Sequence, residues 1–254
     1  MTALATIGLV GLGLAAGLLV GAVGIGGVIL VPALVYFGGV PIHAAVAGAM
    51  MSYILTGLVG TFLYARARSI RWDMVGSLWA GAMPAALAGA FAASVASAAL
   101  LEILIGLLTA SSGLHALASR PEEDGALPAR LISNGALALI GSLTGFASAM
   151  SGTGGPLVLV PILMWMELPV LTAVGLSQVI QLPIAVLATA GNFSYGALDL
   201  TLGGLLAVGV AIGAWAGATI AHAVPRAVLH RMVSMVLVVV GVLIFIKVVA
   251  RLVA

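Results

Sequence analysis

Apolar residues occupy this chain in long blocks, at 3–37, 40–65, 74–95, 97–118, 130–166, 168–193, 200–222 and 227–250, separated by short polar or turn-forming clusters. A helix that crosses a bilayer needs about 20 mostly apolar residues. Each block therefore predicts one membrane segment, and the pattern predicts an all-α polytopic membrane protein of about eight segments. The first and fifth blocks are too long for one straight helix. Each predicts a first helix of about 20 residues, a break, and a short second helix that starts from the break.

Glycine marks both breaks. The first block contains Gly24-Ile25-Gly26-Gly27 with Pro32 soon after, and the fifth contains Gly152-Thr153-Gly154-Gly155-Pro156 with Pro161 soon after. Glycine weakens a helix because its backbone has the most freedom to lose on folding. Within a bilayer, broken backbone survives only where protein or a wet cavity surrounds it. Matched breaks in two halves of an apolar chain are the sequence pointer to a transporter's binding site.

The two halves share more than glycine. The motifs are related by a shift of 128 residues, as are Pro41 and Pro169, and Ala44-Ala45-Val46 aligns with Thr172-Ala173-Val174. Pro32 and Pro161 differ by 129, which places one insertion after the second motif. Trp72-Asp73 is echoed by Leu198-Asp199. These landmarks predict a duplication, with one four-segment repeat at 1–118 and another at 130–254. The polar run Ser119-Arg120-Pro121-Glu122-Glu123-Asp124-Gly125 belongs to the linker between them, 119–129.

Composition agrees. Hydrophobic residues make up 63% of the 254 and charged residues 6%, and the mean hydropathy is +1.31. A soluble fold of this length could not cover so much apolar surface with so few charges. The 34 glycines suit close approach of membrane helices. The nine Lys and Arg sit at segment ends, where they report orientation and give no case for nucleic acid. The chain has no cysteine, so thiolate chemistry and iron–sulfur clusters are excluded. The N-terminal apolar stretch lacks the charged start and cleavage site of a removed signal peptide and reads as the first membrane segment.

Charge does not choose between two topologies. With eight crossings, Arg66, Arg68, Arg71, Arg120, Arg130, Lys247 and Arg251 share one side, opposite Arg226 and Arg231. With re-entrant first and fifth segments, Arg226 and Arg231 join the five loop arginines, opposite Lys247 and Arg251. The balance is seven to two either way. The positive-inside rule makes loops 66–73 and 119–130 cytoplasmic and leaves the C-terminus open. We favour eight crossings with both ends inside, because re-entry requires first helices long enough to span to stop short.

A Gly-x-Gly-Gly segment followed by an apolar run and proline, repeated in both halves of a chain of this length, resembles the TauE/SafE sulfite exporter family, also called TSUP. The likeness covers essentially the whole chain. It includes Ile70-Arg71-Trp72-Asp73 and the weaker echo Gly196-Ala197-Leu198-Asp199. Where a fuller motif carries a further glycine, this chain has Val28 and Pro156. The resemblance implies transport of sulfite, organosulfonates or related small sulfur-containing anions, commonly outward.

A small anion in a membrane needs donors that replace its hydration shell. The first amides of a helix have no partner within it, and the dipole there is positive. Helix starts after the two breaks therefore predict an anion site near the midplane. Its candidate ligands are Gly24, Gly26, Gly27, Val28, Gly152, Gly154 and Gly155 through backbone, with Ser151 and Thr153 adding hydroxyls. The plain alternative is that these glycines only allow tight packing.

A second polar group follows each break, Ser52, Tyr53 and Thr56 in the first half and Ser177, Gln178, Gln181 and Asn192 in the second. Gln178 and Gln181 share a helix face and offer amide donors. Ser52 and Thr56 are further candidates, and interhelical bonding is the alternative for all four. His43, beside Pro41, is a candidate for gating or proton coupling, because histidine titrates near neutral pH. Glu102 would matter for coupling if buried. The tryptophans Trp72, Trp79, Trp165 and Trp215 fit interface anchors for the most part.

Together these features predict a secondary transporter of a small anion in a lipid bilayer, and the resemblance implies export of sulfite or an organosulfonate, with a bacterial inner membrane as the expected location. Uptake and a channel for the same anions are the alternatives. The chain lacks a Walker motif, so the driving force falls to the membrane potential or a proton gradient. No cofactor or metal is expected, and the sequence permits a homo-oligomer. An intramembrane enzyme is the remote alternative: Ser151 lies beside a break, but no Gly-x-Ser-x-Gly surrounds it and no mid-segment histidine offers a base.

Overall fold

The structure, a computed structural model, describes residues 3–23, 27–118, 132–166 and 168–221. Gly24, Ile25 and Gly26, the polar linker, and the eighth apolar block with Arg226, Arg231, Lys247 and Arg251 lie outside the described residues. All regular structure among the described residues is helical: α1 (Ala3–Val23), α2 (Gly27–Tyr36), α3 (Ile42–Arg66), α4 (Trp72–Val95), α5 (Ala98–Ala118), α6 (Asn134–Ser151), α7 (Gly155–Trp165), α8 (Val170–Ser194) and α9 (Leu200–Ala221). Four are long and apolar enough to cross a membrane: α3, α4, α8 over 171–194, and α9 over 200–220. The first and fifth apolar blocks each fold as two helices, as their length and glycine content predict.

The sequence around each turn explains the boundaries. Pro41 and Pro169 immediately precede α3 and α8 with nearly the same backbone, φ −55° and ψ 139° against φ −55° and ψ 138°. Proline's fixed φ suits a helix start, and its missing N–H would have had no helical acceptor there. Ser133 caps α6 by accepting from the Ala136 amide. Asp199 caps α9 by accepting from the amides of Thr201 and Leu202.

Glycine and alanine set how the helices meet. Gly13, Gly17 and Gly21 of α1 face Gly209, Gly213 and Gly217 of α9 in register, with Gly17 against Val210, Gly21 against Ala214 and Gly213 against Leu14. Residue numbers rise together along this seam, so α1 and α9 run parallel. The same is true of α4 and α6, where Gly141 lies on Leu78, Gly145 on Ala82 and Gly89 on Phe146. At the centre α3 and α8 run antiparallel, with Gly57 against Leu182 and Gly60 against Gln178. The broadest contacts of the bundle are these three, α1 with α9, α4 with α6, and α3 with α8.

The path of the chain through the breaks differs from the eight crossings favoured above. Val28, at the start of α2, shares one small apolar cluster with Leu157, and Leu19 near the end of α1 packs against that cluster. Farther along, Ala33, Phe37, Gly38, Gly39 and Val40 line one cavity of about 720 Å³ with Gly8, Leu9 and Leu12 near the start of α1. α2 therefore folds back beside α1, and the chain leaves by the end of the bundle at which it entered. α6 and α7 make the corresponding hairpin from the opposite end. There α6 starts beside the beginning of α4, and α7 leads into α8, whose Gly175 sits on Ser69 and Ile70 of the α3–α4 turn. The physical reason lies in the glycines. Gly152 and Gly154 both adopt positive φ, 69° and 88°, which reverses the chain where a single kink would have let it continue.

Candidate functional site

Because the hairpins enter from opposite ends, α2 and α7 both begin in the middle of the bundle and run apart. Their N-termini, with the positive ends of their dipoles, meet there. Val28 and Leu157 are buried against each other in the first turns. A side chain on Gly27 would run into the Thr153 carbonyl oxygen, and its Cβ would lie 2.7 Å from the Tyr53 hydroxyl. A Cβ on Gly152 would lie 2.9 Å from Val46 Cα of α3 and 3.0 Å from Val31 of α2. The two breaks are thus wedged against each other, with no room for a larger residue at Gly27 or Gly152.

Gly154, at the N-cap of α7, faces the polar side chains of both central helices. Its Cβ would lie 3.3 Å from Gln181 Oε1 and 3.6 Å from Tyr53. The Gly155 amide donates to Gln181 Oε1. A backbone N–H can only donate, so the atom facing it is the amide oxygen, and Gln181 Nε2 points elsewhere. That Nε2 and the Tyr53 hydroxyl are both buried, with no hydrogen-bond partner among the described residues. Each side chain is 1% exposed. Buried polar groups without partners are uncommon and call for a physical reason.

The remaining candidates divide by what their polar atoms already do. Ser151 Oγ donates to Ala147 O at 2.6 Å and lies 2.7 Å from Thr153 Oγ1. Since the Ser151 hydrogen goes to a carbonyl, Thr153 is the donor of that second bond, and the Thr153 amide also donates to Ser151 Oγ at 3.4 Å. Both hydroxyl hydrogens therefore tie the break together. Ser52, Thr56 and Ser177 donate to Ala49, Tyr53 and Val174 carbonyls of their own helices, a common satisfaction of hydroxyls within helices. Gln178 Nε2 donates to Val20 O at 3.2 Å, joining α8 to α1 just before the first break. Gly27 and Val28 are at the site, while Gly24 and Gly26 lie outside the described residues.

His43 is remote from this centre. Its Nε2 is 3.1 Å from the Ala96 carbonyl, so the ring bridges the start of α3 to the α4–α5 turn. Glu102 is half-buried on α5 and lines a small cavity otherwise built from Val31, Pro32, Val35, Tyr36, Ile42 and Ile105. Trp72, Trp165 and Trp215 are exposed at 58%, 81% and 60%. Trp79 departs from the anchor pattern, donating from Nε1 to Val179 O at 3.3 Å inside the bundle. At the end of the bundle where α3 finishes, Arg71 pairs with Asp73 at 2.6 Å, and that hydrogen bond raises the guanidinium pKa above its ordinary value.

Tyr53 is the residue at the centre that the sequence did not single out as a ligand. It stood in the polar group after the first break, beside Ser52 and Thr56, without being put forward as a ligand itself. The signal was nevertheless present: the shift of 128 that aligns the glycine motifs carries Tyr53 onto Gln181, and Gly27 onto Gly155. Each half thus sets a polar side chain against the last glycine of its own motif.

Compared with known proteins, the chain matches the family model described as Sulfite exporter TauE/SafE over residues 9–244. No curated protein and no solved structure matches it.

Proposed function

Because the chain belongs to the TauE/SafE sulfite exporter family, we propose that it is a secondary transporter of a small oxyanion, exporting sulfite or an organosulfonate through a site between the two glycine breaks. The observation that carries this reading is the meeting of two helix N-termini at Gly27 and Gly155, beside donors of Tyr53 and Gln181 that have no partner among the described residues. Helix starts present oriented N–H groups and positive dipole ends to an anion without any fixed cation. Surrounding protein excludes water, so each donor acts in a low-dielectric setting where it counts for more.

The architecture proposed is a pair of inverted four-segment repeats, 1–118 and 130–254, joined by the linker 119–129. The exchange of helices supports it: α1 of the first half packs on α9 of the second, α6 of the second on α4 of the first, and α3 on its counterpart α8. In transporters of this kind, one repeat rocks against the other around a midplane site. Arg66, Arg68 and Arg71 lie at the end from which the α6–α7 hairpin enters, which assigns that end to the cytoplasm. A membrane potential negative inside drives anions outward by about 2.3 kcal/mol per charge per 100 mV, and this force suffices for export without ATP. His43 joins two turns at the opposite end and is a candidate for gating.

The test is flux in proteoliposomes with sulfite, sulfate, thiosulfate, taurine and sulfoacetate, with and without an imposed pH gradient. Sulfite or a sulfonate should move and the others compete in part. If none moves or competes, the anion assignment is wrong. A Ser151→Ala variant separates carrier from enzyme, since a backbone-based site keeps part of its activity and a serine nucleophile would leave almost none.

A further inference from the structure

The two half-sites are alike in position and unlike in chemistry. Resting on the glycine-break site proposed above, we propose that Gln181 competes with the anion for the Gly155 amide, while Tyr53 supplies the donor that draws the anion in beside Gly27. In the conformation described, Gln181 Oε1 accepts from the Gly155 amide, which is the bond an anion oxygen would make at this helix start. The carbonyl oxygen is a neutral stand-in for that anion oxygen. Its Nε2 has two hydrogens and no partner among the described residues. An exchange is therefore available. As an anion oxygen takes the Gly155 N–H, the carboxamide turns and offers Nε2 to the same anion, so an acceptor becomes a donor.

Tyr53 cannot make that exchange. Its hydroxyl sits against Gly27 and its ring edge faces Gly154, and the hydroxyl carries a single hydrogen with no partner among the described residues. A phenol donates one bond to an anion without bringing a charge of its own. The pair sets a specificity rule. The ligand must present at least two acceptor oxygens on one centre, one to the Tyr53 side and one to the Gly155 side. Oxyanions with a pyramidal or tetrahedral sulfur centre satisfy this, and monatomic halides do not. Competition from Gln181 also tunes affinity downward, which suits a carrier that must release its cargo.

The experiment titrates purified protein in detergent with sodium sulfite and with sodium chloride, by calorimetry. Wild type should bind sulfite and show no saturable heat with chloride. Tyr53→Phe should raise the sulfite Kd about tenfold, the loss expected for one hydrogen bond to a charged partner. Gln181→Glu keeps an acceptor on the Gly155 amide and removes the exchange, and sulfite binding should fall at least that far. An independent readout uses wild-type protein carrying 15N-glutamine: sulfite should shift the Gln181 side-chain signal, identified by its loss in Gln181→Met. A signal unmoved at saturating sulfite, or a Tyr53→Phe Kd within twofold of wild type, overturns the proposal and leaves the site reading standing. Wild type that binds neither sulfite nor, titrated in the same way, taurine or sulfoacetate removes both.

Discussion

The α1–α9 seam and the pair of breaks both depend on glycine, and they use it in opposite ways. In the seam, Gly17, Gly21, Gly213 and Gly217 are ordinary helical residues whose missing side chains let two backbones touch. A Cβ at any of them would strike a main-chain oxygen of the facing helix. Membrane helices associate through such contacts because lipid gives them no hydrophobic incentive to pair. At the breaks, Gly152 and Gly154 adopt positive φ, which turns the chain back and leaves the first amides of α7 facing the protein centre. Packing glycines hold the bundle together, whereas break glycines expose its backbone. One residue type, read by spacing alone, would have merged the two roles.

That contrast can be broken by substitution. The largest effect should follow Gly154→Val, which forces a β-branched residue to φ 88° and crowds Gln181 and Tyr53. With ψ at 154°, this backbone lies in a region that glycine alone adopts readily, and holding another residue there costs roughly 1–3 kcal/mol, with a β-branched one at the upper end. Flux should be abolished while the protein still inserts and purifies as a folded species. Next comes Gly17→Leu in the seam, where the side chain meets the Val210 main chain. Overpacking costs about 1–3 kcal/mol or more, so the thermal midpoint should drop and yield should fall. Transport per folded molecule should stay near wild type, the reverse of the Gly154 result.

Smaller effects sharpen the picture. Gln178→Leu removes the bond to the Val20 carbonyl, which at about 0.6 kcal/mol for an average interhelical bond should lower the midpoint slightly and loosen α1 near the break. Hydrogen exchange over 18–23 reports that directly. The smallest effect should come from Arg71→Ala. Its partner Asp73 is 61% exposed, and exposed pairs are worth about 0–1 kcal/mol. Stability should barely move and become insensitive to salt at this position.

Much of this was legible in the sequence, for reasons that differ by region. The block lengths gave the helices of the first seven segments to within a few residues, because about 20 apolar residues are what a bilayer demands. The doubled glycine motif gave both breaks. The direction of the chain after each break was not legible. Arg226 and Arg231 change sides together with Lys247 and Arg251 between the two topologies, so the charge balance is the same for both. It is read instead from the positive φ of Gly152 and Gly154, the return of Phe37 to the level of Leu9 and the start of α6 beside that of α4. The hydroxyls of Ser151 and Thr153 looked like ligand donors because they flank the break. In the fold their hydrogens close local bonds, as short hydroxyl side chains do beside their own backbone. Tyr53 was visible as a member of the polar group after the first break but not as a ligand, since burial and chemistry cannot be separated for a tyrosine within an apolar helix.

The most direct test of the central claim is to locate an anion in the protein itself. Selenite has the shape and charge of sulfite, with an atom that scatters anomalously. Crystals soaked in selenite should show one anomalous peak between Gly27 and Gly155, within hydrogen-bond reach of Tyr53 and Gln181. A saturating peak at any other place, with that centre closed by protein alone, would contradict the account.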